Sequence, residues 1–170
     1  YSVDDNFTTN FMTLLNRWPI FPLYYEGKTK FAPIHCSDLT DVIFNIISKN
    51  VNSKIIECVG PEIISFKEIL EKLLNLIGKK RLLIPMPLPI AQMSARFFEI
   101  MPKPILTRDQ LKLLKYDNVL SGKYKSNSDI GVPSLRYFDE EVKKYCYMWR
   151  EGGQFSTEKF NSDNIDIKTN

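Results

Sequence analysis

Soft metal ligands are scarce in this 170-residue chain, which has one histidine and three cysteines. Cys36, Cys58 and Cys146 are odd in number and scattered, so a disulfide framework is not expected and a reducing compartment fits better. His35 and Cys36 are neighbours, but adjacent residues on an extended segment point to opposite faces, so no zinc site is expected. Long apolar runs are missing too, and nothing approaches the roughly 20 residues that span a bilayer. Charge of one sign is also thin. Lys plus Arg number 23 against 20 Asp plus Glu, a net charge of +3, without the basic stripe that phosphate backbones require, so nucleic acid is not an expected partner. Glycine numbers only 7, and no glycine-rich turn leads from a predicted strand into a helix. The adjacent pair Gly152 and Gly153 follows the last predicted helix, where its amides cannot face a pyrophosphate. A G-x-S-x-G elbow and an H-E-x-x-H helix are absent as well. The chain opens on Tyr1 with neither a methionine nor a signal or transit sequence, which reads as a clipped or partial sequence.

What is present is globular: 44% hydrophobic and 25% charged residues. Phe7, Phe11, Leu14, Leu15 and Trp18 predict a first helix, capped by Asp5 or Asn6 and ended by Pro19. Residues 20–35 carry Pro22, Gly27 and Pro33 and predict two brief strands around a turn at Glu26-Gly27. Ser37 and Asp38 precede Leu39, Val42, Ile43, Ile46 and Ile47, a capped helix with apolar spacings of three and four. Lys54 to Val59 predicts a buried strand stopped by Gly60-Pro61. Ser65 and Glu68 form a capping box, Ile64 and Ile69 a hydrophobic staple, and Phe66 to Ile77 a buried stripe that Gly78 ends. Arg81 to Ile84 predicts a strand broken by Pro85, Pro87 and Pro89, with a helix from Pro89 to about Met101. Thr107 and Gln110 open a short helix to about Lys115. Residues 117–134 predict a polar connection with one turn of helix. Phe138, Val142, Tyr145, Cys146 and Trp149 mark the last helix, and the polar tail 156–170 lacks the apolar content to order itself. Strands alternating with helices, then mostly helices, give an α/β class with a helical appendage.

His35 is the natural acid or base near neutral pH, yet a structural hydrogen bond at a strand end is the stronger reading of it and a site contact the alternative. Asp38 reads as a helix N-cap. Asp4, Asp5 and Asn6 could face a ligand, although a cap explains them. Tyr137 and Tyr145 read as packing residues. The cluster Lys79-Lys80-Arg81 reads as a solvated group completing a helix dipole.

Four segments, 31–39 (FAPIHCSDL), 57–62 (ECVGPE), 106–119 (LTRDQLKLLKYDNV) and 147–155 (YMWREGGQF), carry a resemblance. They resemble the C-terminal half of the atypical extended short-chain dehydrogenase/reductases, within the NAD-dependent epimerase/dehydratase superfamily, that are related to the nucleotide-binding accessory subunit of respiratory complex I in its bacterial form. The first two segments are shared widely in the superfamily and the last two are specific to this branch. The likeness covers about residues 1–155.

The resemblance implies the C-terminal portion of an NAD(P)-binding Rossmann-type domain with a mostly helical substrate-side lobe. Residues 1–59 would end the Rossmann-type domain, with interleaved lobe segments, 60–155 would form the lobe, and 156–170 a disordered tail. The glycine-rich loop and any Tyr-x-x-x-Lys pair would lie upstream, so no catalytic residue is assigned. Tyr1, Ser2 and Val3 would pass the nicotinamide end of the cofactor cleft, with NADP or NAD as cofactor, and His35, Lys30 and Met86 would lie on the substrate side. Phe31 stands where sugar-nucleotide epimerases commonly carry an arginine for the substrate's diphosphate, which disfavours a nucleotide-sugar.

The implied function is nucleotide binding for structural or quinone-linked reasons with little or no turnover. Partners would be respiratory complex I or quinone-pathway proteins, with peripheral membrane association. The location would be the cytoplasm at the inner membrane face, or the mitochondrial matrix side in a eukaryote. Two alternatives are an NAD(P)-dependent oxidoreductase or epimerase acting on a small or prenylated substrate, with Met86, Met93 and Phe97 in its wall, and a stand-alone interaction domain.

Overall fold

A computed structural model describes residues 1–49, 55–87, 90 and 112–155. Its centre is the helix α3 (Phe66–Ile77), whose sequence signals all act as written. The Ser65 hydroxyl accepts from the Glu68 N–H at 3.2 Å while the Glu68 carboxylate accepts from the Ser65 N–H at 2.6 Å, and Gly78 ends the helix at φ 67°. Phe66, Ile69, Leu70, Leu73, Leu74 and Ile77 are all buried, and removing each such side chain from water stabilises the fold by roughly 1.5–3 kcal/mol. Ile64 is buried as the staple requires.

Around α3 pack α1 (Thr8–Arg17), the strand β1 (Ile20–Tyr24), α4 (Phe138–Lys143) and the 3-10 turn at Cys146–Trp149. β1 pairs in parallel with β5 (Leu82–Met86), so Ile20 faces Leu82 and Pro22 faces Ile84. β2 (Lys30–Phe31) pairs antiparallel with β4 (Ile64–Ser65), and β3 (Ile56–Glu57) parallel with β6 (Lys125–Ser126). α2 (Cys36–Lys49) lies between β2 and β3 in the chain. The chain is mixed α/β, with short parallel sheets and helices, consistent with part of a Rossmann-like domain.

Several expectations are corrected. Asp5 does cap α1, accepting from the Phe7 and Thr8 N–H groups at 3.0 and 2.6 Å, but the deepest face of that helix is Thr8, Met12 and Leu15 while Trp18 is half exposed. The aromatic residues mark the flank because Phe11 stacks against Phe21 and Phe66 from the rim. α2 begins at Cys36, ahead of Asp38, so Asp38 lies in the first turn and is no N-cap. Of its apolar positions Val42 is fully buried, and Leu39, Ile43 and Ile47 are exposed.

β5 runs through Pro85 to Met86. In a two-stranded ribbon each strand is an edge, where a missing N–H is tolerated. The 117–134 connection is tied to the sheets: Phe31 bridges Asn118, and β6 lies within it. The last helix stops at Lys143 because Tyr145 leaves helical geometry (φ −128°, ψ −7°). Apart from Ile90, the helix expected over 89–101 lies outside the described residues, as do the capping box at Thr107 and Gln110, Lys54 and the tail 156–170.

Candidate functional site

Three stretches meet beside the start of α2: the N-terminal residues, the turn 33–38, and the segment 134–141. The Tyr1 backbone nitrogen donates to the Ile34 carbonyl at 2.8 Å, and the Tyr1 carbonyl accepts from the Cys36 N–H at 3.0 Å. Its ring packs edge-on to His35, with centroids 5.2 Å apart, and against Phe138 at 5.1 Å. Its hydroxyl donates to the Arg136 carbonyl at 3.1 Å. Burial, then the nearby Glu141 and Glu62 carboxylates, push the Tyr1 hydroxyl well above the ordinary tyrosine range. It is a donor at neutral pH, not a base.

His35 Nδ1 accepts from the Ser37 N–H at 3.2 Å, which leaves the proton of the neutral ring on Nε2, 4.0 Å from Glu141 Oε2. Burial lowers its pKa, with Glu141 opposing. Asp38 is buried, accepts from the Arg136 backbone N–H at 3.1 Å and is paired with the Arg136 guanidinium. Glu62 accepts from the Phe138 N–H at 2.8 Å, capping α4 from a distant part of the chain. Lys72 links Glu62 to Asp139 across α3 and α4. Burial alone would depress the Lys72 pKa, but Asp139 and Glu62 outweigh it and raise it.

The structure brings Tyr1 and His35 together and separates the other expected residues. Ser2 donates its N–H to Asp5 at 3.0 Å, while the Val3 side chain is exposed. Lys30 is exposed on β2, its N–H bonded to the Asp117 carboxylate at 2.8 Å. Met86 ends β5 and packs on Tyr24. Sequence reading missed Glu62, Arg136 and Glu141. Acids at 38, 62 and 141 and a base at 136 share no local spacing, so only the fold reveals their convergence.

Two shallow depressions flank this cluster. One, of about 440 Å³, is lined by Asp38, Asp41, Pro133, Leu135 and Arg136. The other, of about 370 Å³, is lined by Gly60, Glu62, Leu120, Ser128 and Ser134. Neither includes Tyr1, Ser2, Val3, His35, Lys30 or Met86. No group of three or more His, Cys, Asp or Glu side chains converges on a metal among the described residues, and no helix there is long and apolar enough to cross a membrane.

A dinucleotide's diphosphate needs free amides at a helix N-terminus. Here α1 is capped by the Asp5 carboxylate, α3 by Ser65 with Glu68, and α4 by Glu62. At α2 the Cys36 and Ser37 N–H groups bond Tyr1 and His35. These termini hold carboxylates or are spent internally, so the described residues do not fit the diphosphate.

The segments most specific to the resemblance act as tethers. Asn118 donates its N–H to the Lys30 carbonyl at 2.8 Å and accepts from the Ala32 N–H at 3.0 Å. Arg150 Nε donates to the Leu76 carbonyl at 2.6 Å, closing the C-terminus of α3. Arg81 does the same for α1, reaching the Leu15 and Asn16 carbonyls at 2.8 and 3.0 Å, and Lys79 pairs with Glu151. The basic cluster thus closes a neighbouring helix as well as following its own.

No family model matches the chain. It is 26% identical over 158 residues to a protein of Arabidopsis thaliana, NADH dehydrogenase (ubiquinone) 1 alpha subcomplex subunit 9, mitochondrial. The match takes in 82% of this chain and 39% of that protein, so the chain spans well under half the length of its relative.

Proposed function

We propose that the chain is the C-terminal portion of an NAD(P)-binding protein similar to the complex I accessory subunit, binding nucleotide for structural or quinone-linked reasons with little or no turnover. The observation that carries this reading is the alignment over 82% of the chain with a subunit named for NADH dehydrogenase. Two features of the site support it. Tyr1, His35, Asp38, Glu62 and Arg136 spend their polar atoms on one another and on backbone groups, which suits a scaffold. The N-termini of the four helices α1 to α4 are filled, and on this reading the diphosphate would be held by upstream residues, with the 1–6 loop near the nicotinamide end. Association with complex I, or with quinone-pathway proteins at a membrane surface, follows from the same reading.

The test is a calorimetric or tryptophan-quenching titration with NADPH and NADH of a protein extended upstream of Tyr1, with the 170-residue chain as control. Saturable binding by the extended protein and none by the control is the expected result. An extended protein that binds neither nucleotide overturns the proposal.

A further inference from the structure

Residue 35 stands where α2 needs a cap. The His35 carbonyl accepts the first helical bond, from the Leu39 N–H at 3.1 Å, so His35 is the N-cap residue of a helix that begins at Cys36. Its ring completes the cap, because Nδ1 accepts from the Ser37 N–H at 3.2 Å. Serine, threonine, asparagine and aspartate are the usual caps, whereas an imidazole nitrogen accepts only while it is unprotonated. The acidic side chain of the first turn does not stand in for it. Asp38 accepts from the Arg136 N–H at 3.1 Å and pairs with the Arg136 guanidinium. The preceding amide, that of Cys36, bonds the Tyr1 carbonyl at 3.0 Å, so the same turn anchors residue 1.

We propose that His35 is an acid-sensitive latch: the neutral ring caps α2, and protonation releases the first turn of the helix together with its bond to Tyr1. With a proton on Nδ1 the ring has two donors and no acceptor, so the Nδ1–H and the Ser37 N–H oppose each other. The imidazolium also sits at the positive end of the α2 dipole.

The charged groups facing the ring set where it goes. Glu141 on α4, with Oε2 4.0 Å from Nε2, and Asp38 on α2 attract the charged form, while Arg136 ahead of α4 and the Tyr1 ammonium repel it. Where a residue precedes Tyr1, that nitrogen is an uncharged amide and its repulsion is gone. The Cys36 Sγ also lies 4.0 Å from Nε2. Glu141 is held by Lys144 at 2.6 Å, so a charged ring closes on Glu141 by turning, away from Ser37 and from its edge-on contact with Tyr1. The His35 and Glu141 side chains are only 13% and 12% exposed, which limits the water that can replace the lost acceptor. Burial, the largest cause, lowers the His35 pKa, so the latch is closed above the ordinary histidine value and opens as pH falls through the folded midpoint.

The experiment is an NMR titration of the 15N-labelled protein extended upstream of Tyr1, from about pH 8 to about pH 4.5. At the upper end Nδ1 is expected to be the unprotonated ring nitrogen. Protection of the Ser37 amide against hydrogen exchange, corrected for the intrinsic pH dependence of exchange, is expected to fall about fivefold or more, the effect of a lost cap. That fall shares the midpoint of the His35 ring. His35→Asn supplies an acceptor that does not titrate and is expected to keep the Ser37 amide protected through the same range. A merely packed histidine would titrate without moving this amide, so unchanged Ser37 protection across the ring's midpoint overturns the proposal. A proton on Nδ1 at pH 8 overturns it too, as does an equal loss of protection in His35→Asn, which would place the acid sensitivity on Asp38 or Glu141. If the variant does not accumulate, the wild-type titration decides alone. Neither NADPH nor NADH enters the measurement, so the latch stands or falls apart from the nucleotide reading.

Discussion

Replacing Gly60 by alanine tests the tightest approach in the fold. A Cβ built there lies 1.9 Å from the Pro33 carbonyl oxygen and 2.7 Å from its carbon, where real contacts stay beyond 3.0 Å. The obstacle is backbone, so no rotamer change relieves it, and the 33–34 peptide has to retreat by about 1 Å. That retreat stretches the Gly60 N–H bond to the Ala32 carbonyl, now 3.1 Å, and disturbs the Ser134 hydroxyl donating to the Val59 carbonyl at 2.7 Å. Overpacking of about 1–3 kcal/mol and about 1 kcal/mol for each of the two weakened bonds sum to about 3–5 kcal/mol. That is a large share of the ~5–15 kcal/mol a domain has in all. Gly78→Ala is the comparison. It meets nothing within 4 Å, but its φ of 67° disfavours a side chain, so its cost is about 1 kcal/mol. Urea unfolding of the two variants, followed by the fluorescence of Trp18 and Trp149, gives both numbers. A Gly60→Ala cost no larger than that of Gly78→Ala would refute the reasoning.

Ser65→Ala removes half of the capping box and is expected to cost about 1 kcal/mol by urea unfolding. The Ser65 backbone and side chain lower the Glu68 pKa, so its contribution is present above the ordinary glutamate pKa and is lost as pH falls through the folded value. The Ser65 N–H stays in the variant, so only the hydroxyl's smaller share of that acid dependence is lost. A Ser65→Ala variant as stable as the wild type at pH 7 would sink the assignment. His35 is the sole histidine, so its ring protons are assigned without ambiguity in an NMR titration. The expected midpoint lies below the ordinary histidine value because burial penalises the charged ring. Its contribution to stability is present above that ordinary value and declines as pH falls through the folded midpoint. A midpoint above the ordinary value would mean that Glu141 outweighs burial.

Elements with both local and tertiary signals were legible in the sequence. For α3 the cap, staple, stripe and terminal glycine all agree, and each occurs in the structure as read. Agreement fails where a residue serves a distant partner. Asp38 looks like an N-cap from its neighbours, yet its carboxylate holds Arg136, 98 residues away. Pro85 looks like a strand breaker, yet an edge strand needs no N–H from it. Gly60 and Gly78 look alike as turn glycines. One is required for space and the other for the sign of φ, and only the approach of Pro33 separates them. The candidate site is the extreme case, since Asp38, Glu62, Arg136 and Glu141 come from three stretches with no shared spacing.

The pattern of tethers bears on what the distant similarity records. In the segments that read as most specific, Asp117, Asn118, Trp149 and Arg150 are among the residues that reach distant parts of the chain. Asp117 and Asn118 fasten the connection to β2, Trp149 bonds Thr13 at 2.9 Å, and Arg150 closes α3. Each joins parts of the chain distant in sequence, and none of them lines either depression. A catalytic surface would be expected to leave polar atoms aimed into a cavity, whereas these are directed at carbonyls, amides and hydroxyls of the fold itself. The described parts of these segments therefore carry architecture, and a resemblance built on them argues for a shared scaffold more strongly than for a shared reaction. The proposed emphasis on nucleotide-dependent structure over turnover follows from that distinction.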